Sequence, residues 1–253
     1  MEAYLNKIKV ERILSWGKDF TPEKLEEMVN RKIRQEKIAI KDVKLRTFIT
    51  EDANRNEMVQ HVYDITYGTV RSGKDTLVVI DDSIVRGTTL KESIIKMLDR
   101  LGPKRIIVVS SAPQIRYPDC YGIDMSKMGD FIAFNAAVAL LKERGNASFL
   151  EELLARCKEL EAAGQLHQEN VVKRLYQSFT AVEIADKIAQ LITPPSFTIP
   201  VQVIFQRIED LHLSCPSNLG DWYFTGDYPT PGGNKVCNKA FANYVEGNNV
   251  RGY

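Results

Sequence analysis

Apolar residues recur along this chain first at helical spacing and then in short unbroken runs, so the predicted elements alternate. TPEKLEEMVNRKI, from Thr21, carries Leu25, Met28, Val29 and Ile33 on one face, with Thr21 placed to cap and Pro22 at the first helical position. A helix is predicted there. VKLRTFI, 43–49, reads as extended, and Met58, Val62 and Ile65 then predict a helix from Asn56 to Tyr67, with Gly68 placed to end it. The run LVVI, Leu77 to Ile80, predicts a strand. Beyond it Thr89 and Glu92 have the spacing of a capping box, and Leu90, Ile94, Met97, Leu98 and Leu101 form one apolar stripe that Gly102 and Pro103 stop. RIIVVSSA, 105–112, predicts the next strand. Strand, loop, helix and strand fit the roughly 30 residues of a βαβ unit, whose strands are parallel and whose connection is right-handed. The fold class is therefore α/β. After Gly145 the pattern turns helical, through FLEELLARCKEL and AVEIADKIAQLI; TPPSFTIP, 193–200, reads as a connector, and DWYFTGDYPTPGGNK as a loop-rich cap.

Charge removes whole classes of function. Among 253 residues, 34 lysines and arginines nearly balance 33 aspartates and glutamates, so no global field favours nucleic acid or an anionic membrane. No run approaches the ~20 apolar residues of a membrane span. MEAYLNKIKVERIL lacks the apolar core of a signal peptide, and a cytoplasmic protein is expected. Cys120, Cys157, Cys215 and Cys237 have neither CxxC nor histidine-paired spacing, which predicts reduced structural thiols. His61, His167 and His212 are scattered and form neither a triad nor a metal set.

The chemistry concentrates in TLVVIDDSIVRGTT, 76–89. Ligands of an open parallel sheet bind beyond the carboxyl ends of its strands, where Asp81 and Asp82 would stand. The following loop supplies main-chain N–H groups, the hydroxyls of Ser83, Thr88 and Thr89, and Gly87, which permits close backbone approach; the helix adds the positive end of its dipole. These are the parts of a phosphate monoester site. Neither a Walker loop nor a GxGxxG fingerprint is present. Two carboxylates would repel a bare phosphate, so they are expected to face ribose hydroxyls or a magnesium ion shared with a pyrophosphate. Acidic residues also end strands and cap turns; the hydroxyl-rich loop and helix that follow favour ligand binding. Ser83 has no neighbouring histidine base, so its hydroxyl suits phosphate better than nucleophilic attack.

IDDSIVRGTT resembles the phosphoribosyl pyrophosphate motif of type I phosphoribosyltransferases, and in full it is similar to that of the glutamine phosphoribosylpyrophosphate amidotransferase family. LRTFI, 45–49, is similar to the family's GRTFI, in the loop that closes over substrate. APQIRYPDCYGIDM, 112–125, is similar to the segment after the next strand, and YFTGDYPT is a weaker echo. The resemblance is close over most of 30–145 and loose elsewhere. It implies a parallel sheet of the type I phosphoribosyltransferase kind, with a phosphoribosyltransferase domain at 1–145, incomplete on its N-terminal side, and a helical and loop-rich extension at 146–253. It further implies that Asp81 and Asp82 hold the ribose hydroxyls and Mg2+, that Ser83, Ile84, Val85, Arg86, Gly87, Thr88 and Thr89 hold the 5-phosphate, and that Arg46 serves loop closure or contacts pyrophosphate. In the implied reaction, ammonia released from glutamine displaces pyrophosphate from C1 of phosphoribosyl pyrophosphate to give phosphoribosylamine, the committed step of purine synthesis. Purine nucleotides are the expected inhibitors and a homo-oligomer the expected assembly.

The chain also departs from the family. The family's glutaminase domain opens on a nucleophilic cysteine, whereas here MEAYL comes first and no cysteine precedes Cys120, so that domain is expected to be missing from this chain. The family's pyrophosphate loop before GRTFI is not found. Some members carry an iron–sulfur cluster on four cysteines; here Asp119 follows the proline of YPDC, Cys120 comes one place late, and Gly220 and Tyr223 take the CxxC positions, so no cluster is expected. Two other functions fit the motif: a non-catalytic module that binds a phosphoribosyl group or nucleotide for regulation, and a nucleobase phosphoribosyltransferase, against which APQIRYPDCYGIDM counts.

Overall fold

The computed structural model describes residues 2–36, 38–41, 63–66, 68–122, 124–217 and 220–252. The chain divides into a smaller unit, 1–45 with 62–69, and a larger one, 46–61 with 70–253.

In the smaller unit, α1 (Glu2–Ser15) and a 3₁₀ turn lead to α2 (Pro22–Asn30), and β1 (Ala39–Lys41) pairs antiparallel with β2 (Tyr63–Ile65). α2 starts as its sequence predicts: Thr21 is extended, its hydroxyl accepts the Lys24 N–H at 3.3 Å, and Pro22 follows. It stops at Asn30. Met28 is buried, Val29 is exposed and Ile33 lies past the end, so the apolar face is shorter than expected. The helix expected over 56–67 is corrected at 63–65, where Ile65 pairs with Ala39 in a strand. Tyr-Asp-Ile fits a strand period as readily as a helical one, and cross-strand pairing decides between them. The rest of that prediction, through Val62, lies outside the described residues, as do 43–49.

The larger unit opens with β3 (Thr76–Asp81), continues through α3, which is π-helical over Leu90–Ile94 and α-helical over Ile95–Asp99, and reaches β4 (Arg105–Ser110). Then come a 3₁₀ turn at Met128–Asp130, α4 (Ile132–Glu143), α5 (Phe149–Ala162), α6 (Val172–Gln177), α7 (Ala181–Ile192), β5 (Val201–Phe205), α8 (Ile208–Ser214), α9 (Trp222–Thr225) and α10 (Pro231–Val245). The sheet order is β3-β4-β5, and both pairings are parallel. The predicted βαβ unit is thus present, in an α/β fold. Its third strand, VQVIF, falls in the stretch that reads as helical and loop-rich, directly after the connector at 193–200.

Register explains how the sheet presents its ends. Asp81 pairs with Ser110, and Ser110 with Phe205, so all three strands finish at one edge. Leu77, Ile106, Val108 and Val203 are buried, while Val78, Ile80 and Ile204 are 57%, 57% and 43% exposed. Period 2 therefore puts residue 81 on the buried face, in line with Leu77 and Val79. α7 packs on β5, and α4 packs on α7. α7 opens with a capping box in which the Thr180 hydroxyl accepts the Glu183 N–H at 3.1 Å and Glu183 accepts the Thr180 N–H at 2.8 Å. α4, IAFNAAVALLKE, is apolar nearly all round and lies in the core, where Phe134 meets Phe241 and Tyr244 of α10 edge to face at 6.2 and 4.8 Å. Burying each such phenylalanine contributes about 1.5–3 kcal/mol. All four cysteines are free, and burial pushes the Cys157 thiol up to about 12. Among the described residues no helix is long and apolar enough to cross a membrane.

Candidate functional site

Where β3 ends, the two aspartates fold back on their own main chain. Asp81 Oδ1 accepts the Asp82 N–H at 3.0 Å, and Asp82 Oδ1 accepts the Ser83 N–H at 2.7 Å. This is the strand-ending use of a carboxylate. Each group keeps a second oxygen, and neither forms an ion pair among the described residues. Asp81 is held above the ordinary carboxylate range, first by desolvation on the inner face of the sheet, with the neighbouring Asp82 charge adding to it. The next loop shares the edge: Ser111 donates to the Asp81 carbonyl from N and Oγ, both at 2.9 Å, and Ala112 N–H to the Asp82 carbonyl at 3.0 Å.

The loop that follows is anchored by its apolar residues and left open at its polar ones. Ile84 and Leu90 are buried, at 3% and 2% exposure, and the Val85 carbonyl accepts the Ile132 N–H at 2.8 Å. Among the described residues, no hydrogen-bond acceptor is found for the N–H groups of Ile84 through Leu90 or for the hydroxyls of Ser83, Thr88 and Thr89. Thr88 and Thr89 are exposed. Gly87 adopts φ +71°, and its carbonyl accepts the Lys91 N–H at 3.0 Å, so it begins the helix. A Cβ there would lie 3.0 Å from Ile192 Cγ2, so glycine is needed for packing as well as for backbone conformation. Consecutive N–H groups and three hydroxyls without acceptors among the described residues thus lie between the carboxyl edge and a helix start, an arrangement that suits an anion.

Two details of the helix depart from expectation. The capping box at Thr89 and Glu92 does not form: Thr89 is already helical at φ −59°, ψ −41°, so its hydroxyl makes no cap bond, and Glu92 pairs with Lys96 at 2.5 Å instead. The π-helical turn rotates the stripe, so that Ile95 is buried at 1% while Ile94 is only half-buried.

Arg86 points sideways out of the loop. Its Nη2 lies 2.9 Å from Asp124 Oδ1 and its Nη1 3.4 Å from Oδ2, while Nε and Nη2 lie 3.4 Å from Asp130 Oδ2. The Arg86 hydrogen bond, followed by the Met125 N–H, holds the Asp124 carboxyl below its usual range. Neither aspartate stands out in the sequence; the signal was their place in and after the YGIDM segment. Arg46 lies outside the described residues.

Two cavities lie elsewhere. One of about 850 Å³, lined by Arg105, Gln190, Phe197 and Val201 among others, is at the amino ends of β4 and β5; the other, of about 590 Å³, runs along β5 and α7, and residues 81–89 line neither. The Tyr223 hydroxyl donates to Asp119 Oδ1 at 2.8 Å; burial, then this bond, pushes the phenol up to about 12. His212 Nε2 sits 2.6 Å from Asp221 Oδ2. No group of three or more His, Cys, Asp or Glu side chains among the described residues is arranged to hold a metal.

The chain is 46% identical over 67 residues to the amidophosphoribosyltransferase of Haemophilus influenzae, covering 26% of this chain and 13% of that protein. It is 43% identical over 91 residues to that of Saccharomyces cerevisiae, covering 34% and 18%, and 37% identical over 108 residues to that of Staphylococcus epidermidis, covering 43% and 22%. Over these stretches the chain is similar to the amidophosphoribosyltransferases. It spans only about a fifth or less of the length of these relatives, 13% to 22%. No family model matches it. A solved structure, glutamine phosphoribosylpyrophosphate amidotransferase from B. subtilis complexed with ADP and GMP, is 25% identical and superposes with a TM-score of 0.39, covering 76% of this chain and 32% of that one. The fold class here rests on the parallel sheet itself.

Proposed function

We propose that this chain carries the phosphoribosyl pyrophosphate site of an amidophosphoribosyltransferase, a glycosyltransferase of purine synthesis. The observation that carries this reading is the run of N–H groups from Ile84 to Leu90, with the hydroxyls of Ser83, Thr88 and Thr89, that find no acceptor among the described residues, in a chain similar over part of its length to amidophosphoribosyltransferases. The 5-phosphate would take those donors, and Asp81 and Asp82 the ribose hydroxyls. Adjacent carboxylates that keep one oxygen each fit Mg2+, which binds through one or two carboxylates and draws its other ligands from substrate phosphates and water. Asp81 and Asp82 would hold it, and when bound it would neutralise charge on the departing pyrophosphate. Ammonia derived from glutamine forms the C1–N bond, the C1–O bond breaks with its electron pair leaving on pyrophosphate, and the new ammonium loses a proton. The chemistry is assigned to 1–145, with Arg46 serving loop closure or contacting pyrophosphate, while 146–253 adds β5 to the sheet. Nucleoside monophosphates present the same ribose 5-phosphate and are the expected inhibitors. A cytoplasmic homo-oligomer belongs to the same reading.

The experiment is to supply phosphoribosyl pyrophosphate, magnesium and free ammonia to the purified chain and measure pyrophosphate release. Binding without turnover would instead favour the regulatory module; failure to bind any ribose 5-phosphate ligand would overturn the site.

A further inference from the structure

A cation in the middle of a phosphate loop invites the assumption that it reaches the phosphate. Arg86 does something else. Its planar guanidinium is occupied by Asp124 and by Asp130, residues 38 and 44 positions further along the chain. Asp130 is itself held: its Oδ1 accepts from Asn249 Nδ2 at 3.3 Å, and Asn249 Oδ1 accepts the Gly129 N–H at 3.0 Å. Asp124 is fixed through the Met125 N–H at 2.8 Å, and Met125 adopts φ +63°, the left-handed region that L residues other than glycine, Asn and Asp rarely adopt. The residues beside Arg86 are constrained as well: the Val85 carbonyl accepts the Ile132 N–H at 2.8 Å, the Gly87 carbonyl accepts the Lys91 N–H at 3.0 Å, and a Cβ built on Gly87 would meet Ile192 at 3.0 Å. Val85, Arg86 and Gly87 are therefore each held by another residue, while the N–H groups of 84–90 find no acceptor among the described residues. An exposed ion pair alone contributes little; a fork shared by two carboxylates that are themselves fixed restricts the loop in a way a single pair cannot.

We propose that Arg86 is a positioning residue, which through Asp124 and Asp130, the latter braced by Asn249 near the C-terminus, holds the N–H groups of 84–90 in the shape that receives the 5-phosphate. This rests on the phosphoribosyl reading of the loop and adds to it the C-terminal region as part of the site's support.

The test exploits the sign of an electrostatic effect. In Asp124→Asn/Asp130→Asn, two negative charges near the bound dianion are removed and Arg86 is released. If Arg86 acts by direct contact, or if the aspartates are incidental, ribose 5-phosphate should bind as well or more tightly. Positioning predicts the opposite, affinity weaker by about tenfold, the size of losing one charge-assisted hydrogen bond. Arg86→Ala should weaken binding by a similar factor, and combining all three changes should add little, because they remove one connected unit. Calorimetry with ribose 5-phosphate and inorganic phosphate measures affinity; hydrogen exchange at the amides of 84–90 should rise in the same variants, with the melting temperature nearly unchanged. Unchanged or tighter binding by the double variant overturns the proposal, as does weakening that merely tracks a lowered melting temperature. If the unaltered chain binds neither ligand, the phosphoribosyl reading itself fails and the proposal with it.

Discussion

The loops after β3 and β4 leave the same edge of the same sheet and treat their polar groups in opposite ways. After β3, the N–H groups of 84–90 and the hydroxyls of Ser83, Thr88 and Thr89 find no acceptor among the described residues, and Thr88 and Thr89 are exposed. After β4, Pro113, Gln114, Ile115, Tyr117, Pro118 and Asp119 are all buried, and several of their polar groups are matched by the later chain. Gln114 Nε2 donates to the Ala181 carbonyl at 2.7 Å, the Tyr223 carbonyl accepts the Arg116 and Tyr117 N–H groups at 2.8 and 3.2 Å, and Tyr228 donates to the Pro118 carbonyl at 2.7 Å. One loop is tied to the later chain, and the other is the proposed ligand loop. Open donors at the rim of a sheet are costly to leave unmatched in a dry site, so a buried, matched neighbour is what allows an open loop to keep its shape.

The contrast breaks most sharply at Gly87. Gly87→Val imposes a β-branched residue at φ +71° and brings its Cβ to 3.0 Å from Ile192. A loss of about 3 kcal/mol of stability is expected, with ribose 5-phosphate binding reduced beyond detection in calorimetry. Wild-type affinity in this variant would show that the loop does not approach a ligand.

On the scaffold side, Asp119→Ala leaves the Tyr223 hydroxyl and the Tyr121 N–H without the carboxylate that now accepts both. About 2 kcal/mol of stability should be lost in denaturant unfolding, while the folded fraction retains its ligand affinity. A selective loss of affinity would mean that the β4 loop takes part in binding and is more than support.

Next in size is the acidic pair. Asp81→Asn/Asp82→Asn should weaken magnesium-dependent affinity for phosphoribosyl pyrophosphate by about tenfold, roughly 1.4 kcal/mol, yet leave metal-free phosphate binding equal or tighter. Parallel losses for phosphate, ribose 5-phosphate and the magnesium complex would reduce these residues to strand-ending caps.

The smallest effect is on pH dependence. Because the folded carboxyl of Asp81 is raised, first by desolvation, the folded state favours its protonated form. Its contribution to stability is complete below the ordinary carboxylate pKa and is lost as pH rises through the raised value. Asp81→Asn should therefore be slightly more stable than wild type at pH 7, and the difference should vanish near pH 3 in paired thermal melts. A simple capping role predicts no gain at neutral pH.

Local chemistry was readable where each residue's partner is close in the chain. Thr21 caps α2 three residues on, and Gly102 takes φ +62° to end the helix before β4. The same local reading failed at Thr89, one residue too deep in a helix to cap it, and at 63–65, where a segment of three residues has too few positions to distinguish period 2 from 3.6. α4 escaped because a helix buried all round shows no amphipathic stripe.

The sequence by itself determined the parallel βαβ unit and the chemistry of its crossover loop, because strand, acidic pair, hydroxyls, glycine and helix follow one another within a single stretch. Only the tertiary structure decided that VQVIF joins the sheet beside β4, that Asp81 lies on the inner face, and that Arg86 faces Asp124 and Asp130. Those outcomes depend on partners tens of residues apart, whose separation is closed only by packing of the whole unit, and no local propensity encodes which of several nearby charges an arginine will meet.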